Sequence, residues 1–224
     1  MVSLLMCVVR KATIGLLLFA FPWGTALALI DISPKVLEIE GDSLPVTVIN
    51  TGDTVEFVEI KLYQLENPGE PPEQEQLIPL GLVKEPYLYA APFKLSLGPR
   101  QQKRIQLTVL KQPEKEKVYR LSVLPQRQVN ITGTNSNVML VGLGYMGLIR
   151  QLPSNKTQTW QHRCNAAGLL LEATGTVRLE FNDLVLSGKA VDDFNVYPGT
   201  PRQIVGKVLS GKAQGKDFTL QCNG

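Results

Sequence analysis

Few residues in the chain have the type and spacing to do chemistry, and the most conspicuous set is Gly142-Leu-Gly-Tyr-Met-Gly147, preceded by the apolar run Val138 to Val141. A G-x-G-x-x-G spacing of this kind cradles a pyrophosphate when a strand precedes it and a helix follows it in a parallel α/β sheet. Here Pro153 would interrupt any such helix within two turns, and no neighbouring segment alternates strand with helix. A dinucleotide-binding enzyme is therefore a remote alternative. His162 is the single histidine, and His162-Arg-Cys164 offers two metal-type side chains where structural zinc needs four. No G-x-S-x-G elbow is present, so the reading contains no catalytic residue, no metal site and no cofactor.

The two ends of the sequence set the compartment. Arg10 and Lys11 precede an apolar run from Ala12 to Trp23, and Ala26-Leu-Ala28 supplies small residues for cleavage, so residues 1–28 read as a secretory signal peptide. Removing it leaves 21 basic against 20 acidic residues, a balance with no field for nucleic acid. Of the three cysteines, Cys7 would leave with the signal, and Cys164 and Cys222 would meet an oxidising compartment. A Cys164–Cys222 disulfide is expected, two free thiols being the alternative.

The elements that must position any site are strands. Alternating apolar runs over 35–40, 44–50, 55–65, 91–97, 104–110, 117–124 and 137–150 are separated by turns such as Asn50-Thr-Gly52 and Leu97-Gly-Pro99. Their number and spacing predict an immunoglobulin-like sandwich over 29–150. The run 67–76 is rich in Pro and Glu without apolar content and reads as a solvated loop. Residues 151–157 read as a linker, and 158–224 carry a second set of short strands at 168–175, 176–186, 195–199, 202–209 and 217–222. The fold class expected is all-β, with two sandwich domains.

The segment 137–150 departs from an ordinary strand in its length and in having two apolar faces. Met139, Val141, Leu143 and Tyr145 line one face, and Val138, Leu140, Met146 and Leu148 the other. One face can fill the domain's own core, and the other then needs a partner. A long apolar edge is either an aggregation hazard or a device for adding a strand to another protein.

In this setting the sequence resembles the periplasmic chaperones of chaperone–usher pilus systems, and is most similar to the alternate, colonisation-factor type. The likeness rests on Ile32-Ser-Pro-Lys-Val-Leu37, Val48-Ile-Asn50, Leu95-Ser-Leu-Gly-Pro99 leading into Arg104-Ile-Gln-Leu107, Glu116-Lys-Val-Tyr-Arg-Leu121 and Tyr145-Met-Gly-Leu-Ile-Arg-Gln-Leu-Pro153. Gly175-Thr-Val-Arg178 and Val196-Tyr-Pro-Gly199 extend it into the second block.

The resemblance implies two immunoglobulin-like domains in an L-shaped arrangement in the periplasm, with no enzymatic activity. Such a protein would capture pilin subunits and deliver them to an outer-membrane usher, with self-association of the subunit-free form open. Met139, Val141, Leu143 and Tyr145 would enter the groove of an unfinished pilin by donor-strand complementation. Lys35 would hold the pilin's C-terminal carboxylate. At the position aligned with the family's second cleft base stands Met146. Arg150 is the nearest base and is expected to take over, the competing expectation being an ion pair between Arg150 and an acidic residue at the domain junction. An immunoglobulin-like pilus subunit or adhesin is the alternative from another class, disfavoured because Leu29 to Pro34 is too short for a donor arm.

Overall fold

The computed structural model describes residues 29–126 and 144–222; the signal segment, Met139, Val141 and Leu143 lie outside them. The described chain is built from strands, with only two short 3-10 turns, Pro72–Gln74 and Leu80–Leu82. The strands are β1 (Ile30–Ser33), β2 (Val36–Ile39), β3 (Leu44–Asn50), β4 (Glu56–Leu65), β5 (Leu77–Pro79), β6 (Leu88–Ala91), β7 (Lys94–Leu97), β8 (Gln102–Val109), β9 (Lys117–Pro125) and β10 (Tyr145–Gln151). After a connection follow β11 (Trp160–Asn165), β12 (Gly168–Ala173), β13 (Leu179–Leu186), β14 (Lys189–Ala190), β15 (Phe194–Val196), β16 (Arg202–Ile204), β17 (Val208–Ala213) and β18 (Lys216–Gln221).

The first ten strands make two sheets that face each other. One runs β1-β3-β8-β6, and the other β2-β10-β9-β4-β5 with β7 also on β4. Period-two alternation is the reason they close. Val46 and Val48 of β3, Val58, Ile60 and Leu62 of β4, and Ile105 and Leu107 of β8 point inward to one core with Ile30, Ile32, Leu97, Leu121 and Ile149. The chain changes sheets between β1 and β2. β1 pairs antiparallel with β3, and after the cis Ser33–Pro34 peptide β2 pairs parallel with β10. Proline has no N–H to offer a ladder, which suits a crossing point.

The second sandwich packs β11-β12-β16 against β14-β13-β17-β18, with β15 on β13. Phe181 sits at its centre, with the rings of Trp160, Phe194 and Phe218 at 5.2, 5.4 and 5.6 Å. Aromatic pairs at such distances add to the area they bury. Cys164 on β11 and Cys222 just after β18 form a disulfide with an S–S distance of 2.01 Å, linking the two layers.

Three expectations are corrected here. The stretch after the glycines is the strand β10, with Gly147 buried inside it, so the helix that a dinucleotide fingerprint requires is absent. The run 202–209 is two strands in different sheets, since the chain crosses between layers at Val205-Gly206-Lys207. The loop 67–76 is not merely solvated. Glu75, its side chain only 6% exposed, pairs with Arg120 of β9, and the Gly69 carbonyl accepts a hydrogen bond of 2.7 Å from Arg202 of β16. That loop therefore braces the second sandwich against the first.

Candidate functional site: the two ends of strand β10

β10 runs antiparallel to β9 along its whole length, from Tyr145 opposite Val123 to Gln151 opposite Lys117. On its other side β2 pairs only with Leu148 through Gln151. Leu148 donates its N–H to the Lys35 carbonyl at 2.9 Å and Leu152 to that of Ile39 at 2.9 Å, so even-numbered residues direct their backbone groups toward β2. The same alternation turns the N–H and C=O of Met146 to that side, where no strand pairs among the described residues. The strand thus has a sealed end, 148–151, and an open end, 145–147.

The sealed end is held by buried polar groups, each satisfied. Arg150 is 6% exposed; its Nε donates to Glu116 Oε1 at 2.6 Å, its Nη2 to Glu116 Oε2 at 3.1 Å, and its Nη1 to Glu38. Burial works against the guanidinium charge, but the hydrogen bonds and charge of Glu116, with Glu38 behind them, hold its pKa above the ordinary arginine value. Glu116 also reaches the second sandwich: its Oε2 accepts the Arg178 N–H at 2.7 Å and its own N–H donates to the Thr176 carbonyl at 2.8 Å. Beside it Leu65, Val118 and Tyr197 form a small apolar cluster that Leu148 joins, which is why β9 and β10 are apolar on both faces. Gln151, fully buried, accepts from the Tyr119 hydroxyl at 3.2 Å and donates to the Lys111 carbonyl at 2.9 Å and that of Tyr87 at 3.3 Å.

The open end looks different. Gly147 is buried on the core face, and a Cβ there would meet Ile32 Cδ1 at 2.7 Å and the Lys35 carbonyl at 3.5 Å, so the glycine admits the close passage of the β1–β2 crossing. Tyr145, on the same face, is partly buried against the first core. Met146, on the other, is 47% exposed. Above the Tyr145 ring lies the ammonium of Lys35, 5.1 Å from the centroid, with Asp31 Oδ1 at 3.8 Å. Hydrogen bonding to the Tyr145 side chain, then the Asp31 charge, raises the Lys35 pKa above the ordinary lysine value. The lysine side chain is 61% exposed and fully charged at neutral pH.

Of the residues singled out from sequence, the structure brings Lys35 and Tyr145 together beside a free strand edge and places Arg150 in a buried ion cluster. Met139, Val141 and Leu143 lie outside the described residues. Glu116, Glu38 and Arg178 went unassigned by sequence reasoning. Glu116 opens a segment that carries the family likeness, but its partner Arg150 is 34 residues away and no local pattern pairs them.

This arrangement, two β-sandwiches with a strand whose outer edge opens just before their junction, has the fold of the fimbrial chaperones of chaperone–usher systems. Within that class the chain resembles the colonisation-factor type. It matches the crystal structure of the class 5 fimbriae chaperone CfaA with a TM-score of 0.68 at 22% identity, over 87% of this chain and 100% of that one. It also matches the chaperone SafB in complex with the SafA pilin of Salmonella enterica, with a TM-score of 0.60 at 12% identity over 88% and 98% of the two chains. A curated Escherichia coli protein of the CFA/I fimbrial system is 28% identical over 176 residues, 70% of this chain and 71% of that protein. No protein-family model matches the chain.

Proposed function

We propose that this protein is a periplasmic, non-enzymatic chaperone for fimbrial subunits, working by donor-strand complementation and passing its cargo to an outer-membrane usher. The observation that carries the reading is the unpaired outer edge of β10 at Tyr145–Gly147, set beside an exposed, charged lysine. A strand from an incomplete sandwich can align there, satisfy its own backbone and gain affinity from alternate side chains. On this reading the donor face is that of Tyr145 with Leu143, Val141 and Met139, and Lys35 receives the terminal carboxylate of the bound pilin. The likeness to CfaA and to the pilin-bound SafB supports the fold on which this reading rests. The signal-like leader supports export, and among the described residues no helix is long and apolar enough to cross a membrane.

The test is co-expression with the cognate pilin, followed by purification from the periplasm. A one-to-one complex is expected, with the pilin degraded or aggregated when the chaperone is missing. A pilin that accumulates in soluble form equally well without this chain would remove the proposal.

A further inference from the structure

A carboxylate has two oxygens, and a site that fixes its position as well as its charge offers each of them a donor. Given the reading above, Lys35 supplies one; the question is what supplies the other. Arg150 does not qualify, since Nε, Nη1 and Nη2 are all engaged by Glu116 and Glu38 and the residue is 6% exposed. Met146 has no donor on its side chain. Lys156, further along, is held by Glu40 at 2.7 Å beyond the sealed end of β10.

Tyr145 meets the requirement. Its backbone is fixed by pairing with Val123 and its ring is lodged partly against the first core, so its hydroxyl is a positioned donor at the start of the open edge. The Lys35 ammonium rests over that ring at 5.1 Å. Asp31 is the one acidic group paired with this ammonium, and its 3.8 Å distance is too long for a direct hydrogen bond. Asp31 Oδ1 is itself occupied by the Ile32 N–H at 2.8 Å. The lysine is thereby kept charged and roughly in place while its protons remain available to an incoming group.

We propose that Tyr145 is the second donor of the carboxylate site: its phenolic O–H and the Lys35 ammonium together receive the C-terminal carboxylate of the strand that pairs along Tyr145–Gly147, and Arg150 takes no part. This rests on the chaperone reading and adds a consequence for it. A carboxylate clamped between a mobile ammonium and a fixed hydroxyl sets the register of the added strand, because a shift by one residue moves the carboxylate by about 3.3 Å.

The experiment compares the cognate pilin carrying its natural C-terminus with the same pilin extended by one glycine, co-expressed with wild-type chaperone, Tyr145→Phe and Lys35→Ala, with complex recovery and dissociation rate as readouts. Tyr145→Phe removes one oxygen and keeps the ring, so the melting temperature of the free chaperone should be unchanged. The wild type should prefer the natural end by about tenfold or more, the scale of a hydrogen bond to a charged group. Tyr145→Phe should lose most of that preference and bind the extended pilin just as the wild type does. Full preference in Tyr145→Phe alongside its loss in Lys35→Ala would overturn the role of Tyr145 and leave the chaperone reading standing. Equal weakening of both pilins by Tyr145→Phe would also overturn it, showing a packing role only. A wild type that does not distinguish the two ends would reject carboxylate capture itself.

Discussion

The two ends of β10 are seven residues apart at most and differ in almost every physical respect. At the sealed end the strand has neighbours on both edges, its cation is buried, and every donor of that cation has a carboxylate. At the open end one edge has no partner, the nearby cation is exposed, and its closest carboxylate stands off at 3.8 Å. Two basic residues that look alike in sequence therefore have opposite tasks. A buried, saturated guanidinium makes the joint between the sandwiches specific, because displacing it would strand charge in a region of low dielectric. An exposed, lightly held ammonium is free to exchange its partner for a ligand.

The sharpest way to break this contrast is to disable the sealed end. Glu116→Ala leaves the Arg150 guanidinium without its bidentate partner and the Arg178 N–H without its acceptor. Removing one member of a buried pair costs about 3–5 kcal/mol, so urea denaturation should show a loss of that order. A loss below about 1 kcal/mol would mean that Arg150 is not committed to Glu116 and is available as a ligand. Next in size is the disulfide. Closing 58 residues of sequence constrains the unfolded chain by about 4 kcal/mol, and the reduced protein should melt at lower temperature while β10 keeps its two distinct ends. Arg202→Ala, which removes the hydrogen bond to the Gly69 carbonyl, should cost about 1.5 kcal/mol and raise proteolytic cleavage within 67–76, showing how far the brace extends the seal. Lys35→Ala should leave the urea midpoint where it was and abolish pilin capture; a drop in stability would make Lys35 a structural residue.

How much of this was legible in the sequence follows from the range of each interaction. Strands β3, β4 and β9 were readable almost to the residue, because alternating burial writes itself into alternating residue type. β11, Trp-Gln-His-Arg-Cys-Asn, was missed because it is a mostly exposed edge and carries no apolar period. β1 and β6 are four residues each, too short to show one. At the site, Lys35 was singled out from its motif and lies at the open end. Arg150 was equally visible as a base, but whether a base is free or saturated depends on partners distant in sequence, here Glu38 and Glu116. The 67–76 loop shows the same limit. Its composition speaks of solvent, while its one buried carboxylate, Glu75, is held by an arginine 45 positions away. Tyr145 was legible as apolar surface for a donor strand; its closeness to Lys35 arises only when β1 crosses to the other sheet and brings residue 35 alongside β10.

Amide hydrogen exchange at Met146, compared between the free protein and its purified complex with a pilin, tests the central claim most directly. The account predicts rapid exchange in the free chain, where this N–H faces the unpaired side of β10, and strong protection in the complex, with Leu148 and Arg150 protected in both. Slow exchange at Met146 in the free protein, or no change when the pilin binds, would contradict it.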